Sequence, residues 1–194
     1  MFKRWLAIIT DHRISLYERM FRIVTGTCMV AMVFTMPMGR NGWNLLLLAG
    51  SLVAILGFMK LSIQKRRVHA GATAIVTLLL LLFPICFLTA GGFYSGVPEW
   101  FVLCFIYVCI TLHGRRRLVF FVLCMLETLL CYGLAFYHPE LVSKNSLQHS
   151  FFDSAFSVVM VGLLVSLLLM FLNRMYEEEN ALTQQQKKEI EELN

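Results

Sequence analysis

The feature that most constrains this chain is a succession of six long apolar runs separated by short polar connections. A helix needs roughly 20 mostly apolar residues to cross the hydrocarbon core of a bilayer. It can do so because its backbone N–H and C=O groups are satisfied within the segment. Such runs predict spans at 16–37, 43–61, 70–93, 98–113, 118–137 and 151–172, of which the fourth is the shortest. With 58% of 194 residues hydrophobic and 15% charged, the chain lacks the polar surface that a water-soluble domain of this size needs. The expected fold class is an all-α membrane protein with six transmembrane helices, its partner being the lipid bilayer.

The connections predict the orientation. Lys3, Arg4, Arg13, Arg19 and Arg22 fall in or beside the leader, Lys65, Arg66 and Arg67 after the second span, and Arg115, Arg116 and Arg117 after the fourth. The alternate connections carry only Arg40 and Lys144. Lys and Arg accumulate on the cytoplasmic side, so both termini are expected inside and the protein is expected to be multi-pass in the cell membrane. The same placement argues that the net charge of +5 serves topology and anionic lipid rather than nucleic acid. Trp43, Tyr94, Trp100 and Tyr137 fit interfacial positions. The leader is too short and too interrupted for a cleavable signal. Phe2, Trp5, Leu6 and Ile9 could form one face of an interfacial helix; a frayed basic leader is the plainer reading. The six cysteines lie inside apolar runs with no CxxC pair and read as packing residues. The outer connections 38–42, 94–100 and 138–150 are too short to fold as a separate ligand-binding domain.

Within the spans, Glu127 is the sharpest polar feature. Cys124, Thr128, Cys131 and Ala135 share its helical face at spacings of three and four, and a carboxylate in lipid is costly enough to turn that face inward. It is a candidate ligand contact or proton-sensitive switch, or else one interhelical hydrogen bond that specifies packing. Thr25, Cys28 and Thr35 in the first span, and Cys104, Tyr107 and Thr111 in the fourth, form further polar stripes that read mainly as packing seams. Gly50, Ala54 and Gly57 would permit close helix approach. Pro84 is a candidate hinge, since it removes a backbone hydrogen bond. Glu99, His138, Glu140, His149 and Asp153 gather at the outer ends of the last three spans. They are sensing candidates, although their spacing matches no metal motif, and Asp153 could simply cap the sixth helix. No P-loop, HExxH or GxSxG occurs, so no catalytic residue, metal or cofactor is expected.

After 151–172 no Gly or Pro interrupts the chain, and the residues to Asn194 favour helix. Met175, Leu182, Ile190 and Leu193 are candidate inward positions of a short parallel coiled coil, irregularly spaced. The organisation expected is a leader at 1–15, a bundle at 16–174 and a signalling linker at 175–194, the chain stopping while still helical as the input half of a signalling protein would.

Tyr176-Glu-Glu-Glu-Asn180-Ala-Leu182 and Glu189-Ile-Glu-Glu-Leu-Asn194 resemble the linker that joins the last membrane helix of bacterial multi-pass sensor histidine kinases to their dimerisation and phosphoacceptor domain. Similar linkers precede diguanylate cyclase domains. The resemblance is confined to this tail and the end of the last span. It implies a bacterial sensory input module, a homodimer, an extracellular or membrane ligand, and no turnover by this chain alone. None of His12, His69, His113, His138 and His149 stands in a phosphoacceptor context. The alternatives are a small transporter or channel subunit using Glu127, and a membrane scaffold whose tail recruits a partner.

Overall fold

The computed structural model describes residues 15–36 and 42–193. The leader face of Phe2, Trp5, Leu6 and Ile9, the connection bearing Arg40, and the side chains of Glu179 and Leu193 lie outside the described residues. The described residues form six α-helices: α1 Leu16–Thr35, α2 Gly42–Gln64, α3 Val68–Ala90, α4 Val97–Thr111, α5 Gly114–Tyr137 and α6 Leu147–Leu193. Short 3-10 turns at Gly92–Tyr94 and Pro139–Leu141 complete it, with no strand among the described residues. Helices α2, α3, α5 and α6 are each long and apolar enough to cross a bilayer. Helix α1 has 20 residues but carries Glu18, Arg19 and Arg22 near its start, and α4 has only 15. The molecule is an all-α, membrane-embedded protein.

Helix α1 starts where Ser15 accepts a hydrogen bond from the backbone N–H of Glu18, the Ser-x-x-Glu arrangement that satisfies a first-turn donor. Glu18 also pairs with Arg22 one turn on. At the far end of α3, Gly91 is left-handed at φ 117° and its N–H donates to the Phe87 carbonyl, a conformation glycine adopts freely. The last carbonyls of α3 are met by the segment before α6: Ser143 N–H donates to Leu88 O at 2.9 Å, and the Asn145 amide donates to Ala90 O. Pro84 lies inside an unbroken α3.

The short α4 is the centre of the bundle, touching α1, α3, α5 and α6. It buries Phe101, Leu103, Cys104, Tyr107, Val108 and Thr111. A helix walled in by its neighbours need not match the bilayer thickness, which accounts for its length of about 22 Å against a core of about 30 Å. Helix α2 is the opposite case. Its buried residues are Asn44, Ser51, Ile55 and Ser62, at intervals of 7, 4 and 7 residues along one stripe. Three of those four are polar, while Leu46, Val53, Leu56 and Leu61 face outward. Lipid favours that distribution and water opposes it.

Several expectations are corrected. Gly50 and Gly57 are exposed, and a Cβ added at either would meet nothing within 4 Å, so they form no seam among the described residues. The close approaches are at Gly71 against Ser62 of α2 and at Gly96 against Ser157 of α6. The sixth helix begins at Leu147 rather than 151. Met175 joins the bundle core at 3% exposure, whereas Leu182 and Ile190 are exposed at 42% and 59%. Met175 therefore packs against its own bundle, while Leu182 and Ile190 stand on the exposed surface of α6.

Candidate functional site

Two recesses occupy the two ends of α4. One, mainly apolar, opens at the end away from the basic connections, as a cavity of about 130 Å³ between α1, α2, α3 and α4, with Asp153 of α6 in its wall. Its lining runs from Gly96 and Val97 down to Tyr107, ten residues or about 15 Å along the helix. At the deep end the polar groups satisfy one another. Tyr107 and Thr25 hydroxyls lie 3.0 Å apart, and the Cys104 and Cys124 thiols are in contact at 3.9 Å. The two stripes predicted on α1 and α4 thus face each other; both pack, and Cys28, Thr35, Cys104 and Tyr107 also line the cavity.

The mouth is different. Asn44 is 8% exposed, lines the cavity, and its Oδ1 is buried with no partner among the described residues. A buried, unsatisfied amide costs about 1–3 kcal/mol, so such a group marks a place where something else can bond. Beside it, Asp153 Oδ2 accepts from the Gly96 N–H at 2.8 Å. Asp153 therefore caps the neighbouring α4, not its own helix, which starts six residues earlier. One turn further, Trp100 Nε1 donates to Ser157 Oγ at 3.1 Å, and Ser154 Oγ donates to Glu99 Oε1 at 3.1 Å. Glu99 Oε2 is buried without a partner among the described residues. Three polar contacts thus bind α4 to α6 beside the cavity.

The outer acidic and histidine cluster does not assemble. His138 pairs with Glu140 at 2.9 Å on an exposed turn, while Glu99 and Asp153 engage α6 and α4 as above. The His149 backbone N–H donates to Ser146 Oγ at its own helix start. Among the described residues, no group of three or more His, Cys, Asp or Glu could hold a metal. The Glu127 face turns inward as expected, with Cys124, Cys131 and Ala135 buried. Yet Thr128 donates to the Cys124 carbonyl of its own helix at 2.8 Å, and Glu127 Oε1 is buried with no partner among the described residues. The interhelical hydrogen bond that would have made Glu127 a packing device is absent among those residues.

The second recess lies at the basic end, lined by His69, Thr73, Leu112, His113 and Arg116. Tyr17 of α1 stacks on His69 at 4.2 Å, meets His113 edge-on at 4.8 Å, and donates to the Thr111 carbonyl at 2.6 Å. Burial, then the neighbouring His69 ring and the Arg117 charge, hold the His113 imidazole below its ordinary pKa of 6.5. A depressed histidine favours the folded state fully above pH 6.5 and loses that advantage as pH falls through 6.5 toward its lower folded value. NMR titration of His113 should therefore give a midpoint below 6.5 that rises in Arg117→Gln. A midpoint at or above 6.5 in the unaltered chain would contradict this geometry.

Asn44, Trp100 and Ser157 were not singled out as site residues by sequence. The available signal was the 7-4-7 polar stripe of the second span, which a search for small residues passes over. Comparison with known protein families, with curated proteins and with solved structures gives no match.

Proposed function

We propose that this chain is a membrane-embedded sensory module, the input region of a two-component sensor histidine kinase, with both termini in the cytoplasm. The observation that carries this reading is α6, one uninterrupted helix of 47 residues, about 70 Å long. Near one end it holds the mouth of the cavity through Asp153, Ser154 and Ser157. At the other it leaves the apolar bundle as the polar stretch after Arg174. Occupancy of the cavity biases the packing of α4 against α6, and a rigid α6 delivers the bias to the tail. A ligand can do this only by binding one packing better than the other, and about 5.5 kcal/mol of differential affinity would carry a full switch. In this reading the tail pairs with that of a second copy, the bundle supplying the affinity that a short, weakly patterned coiled coil lacks.

The test is a distance between labels placed through non-canonical residues at positions 60 and 189, read by pulsed electron paramagnetic resonance in nanodiscs. Filling the cavity with Leu48→Trp should move that distance by about 1–2 Å or more. A distribution that does not move would refute the sensory reading. One observation favours a second reading: Glu127 Oε1, buried without a partner among the described residues, suits a small transporter or channel subunit. Ion flux into proteoliposomes abolished by Glu127→Gln would establish it in place of the first.

A further inference from the structure

We propose that the cavity takes a small amphiphile with a hydrogen-bond-donating head, an aliphatic amine or alcohol, and refuses the corresponding carboxylate. The inference deepens the sensory reading and rests on it for its biological meaning, although binding itself can be tested alone.

The argument is a comparison of what the two ends of the cavity leave unsatisfied. At the deep end, Tyr107 is paired with Thr25 and Cys104 with Cys124, so that end offers a guest mainly carbon and sulfur surface. At the mouth, the Trp100 N–H is already given to Ser157, and the Thr35 hydroxyl donates to the Met32 carbonyl of its own helix at 2.9 Å. What remains there is acceptor capacity: Asn44 Oδ1, buried and without a partner among the described residues, and the Asp153 carboxylate, of which only Oδ2 is engaged among those residues, by the Gly96 N–H. An ionised carboxylate only accepts, so the complementary head is a donor. Turning the Asn44 amide end for end would present its NH₂ instead, but Asp153 still opposes an anion. The volume of about 130 Å³ is close to that of an engineered apolar cavity of about 150 Å³ that holds benzene. The guest is therefore small, with its head beside Asn44 and Asp153 and its chain directed toward Tyr107.

Hexylamine, 1-hexanol and hexanoate are the probes, added to the full chain in zwitterionic nanodiscs. Trp5→Phe and Trp43→Phe leave Trp100, in the cavity wall, as the only tryptophan. Hexylamine and 1-hexanol should change its fluorescence saturably, with hexanoate at least about tenfold weaker. Asn44→Leu should weaken both good probes at least about tenfold, and Asp153→Asn should weaken the amine more than the alcohol. Leu48→Trp fills the cavity from its apolar wall; in a fluorescence-independent equilibrium dialysis it should remove saturable binding of all probes. That variant leaves the polar mouth intact, so it serves if Asn44→Leu does not fold. Three results would each overturn the proposal: a purely linear, non-saturating response to the amine and alcohol, hexanoate binding as tightly as the amine, or saturable binding that survives Leu48→Trp. Saturable amine binding without movement between positions 60 and 189 would keep the proposed ligand class and refute the sensory reading. Movement in Leu48→Trp without amine or alcohol binding to the unaltered cavity would do the reverse.

Discussion

Replacing Gly96 with leucine should destabilise the bundle by about 3 kcal/mol or more and separate α4 from α6. A Cβ at position 96 would stand 2.6 Å from Ser157 Cβ and 2.7 Å from the Asp153 carbonyl oxygen, and closer still to Ser157 Oγ. A hydroxyl can rotate away, but a Cβ and a backbone carbonyl cannot, so the helices must move apart. Movement there stretches the contacts from Asp153 to Gly96, Trp100 to Ser157 and Ser154 to Glu99 together. Overpacking alone costs about 1–3 kcal/mol, and each hydrogen bond lost adds about 1 kcal/mol net. The backbone at Gly96 has φ −80°, so the glycine is required by proximity and not by its dihedral angle. The milder Gly96→Ala should be rescued only in part by Ser157→Gly, because the clash with the Asp153 carbonyl persists. Unfolding in mixed micelles measures this directly; a leucine variant within about 0.5 kcal/mol of the parent would contradict the described helix contact.

The second large effect is mechanical. Asn173→Pro should leave the bundle folded and uncouple the tail. Asn173 and Arg174 are exposed, so the substitution removes no core contact. Proline there cannot donate to the carbonyl of residue 169 and clashes with it, at a local cost of about 3 kcal/mol. The 47-residue rod then has a joint just before Met175, the last side chain it sinks into the bundle core. The distribution between labels at 60 and 189 should broaden, and its response to Leu48→Trp should vanish, while Asn173→Ala preserves both. A response of unchanged size in the proline variant would show that the tail does not receive its signal through α6.

Much of the fold was legible because lipid imposes a simple length rule. The apolar runs located the starts of the six described helices to within a few residues, four of these helices are long and apolar enough to cross a bilayer, and the lack of Gly or Pro after residue 172 agrees with the continuous α6. The candidate site was less legible, since its residues become partners only through tertiary contact. Asp153 looked like a cap for its own helix because the sequence does not disclose that Gly96 of another helix lies against it. Gly50 and Gly57 matched a small-residue pattern, but that pattern does not say whether a helix or lipid lies opposite. A single amide such as Asn44 at the edge of an apolar run resembles a boundary residue until its buried carbonyl is seen without a partner among the described residues.

The brevity of α4 has an electrical consequence. Polar groups gather at both of its ends, Asn44 and Asp153 in the cavity wall that includes Gly96 and Val97, and His113 and Arg116 beside Leu112. Between these polar groups α4 spans about 22 Å, compared with about 30 Å for the surrounding hydrocarbon. With water at both ends and the apolar cavity dry, a transmembrane voltage would fall across that length, giving a field along the axis of this bundle about one third stronger than in the lipid beside it.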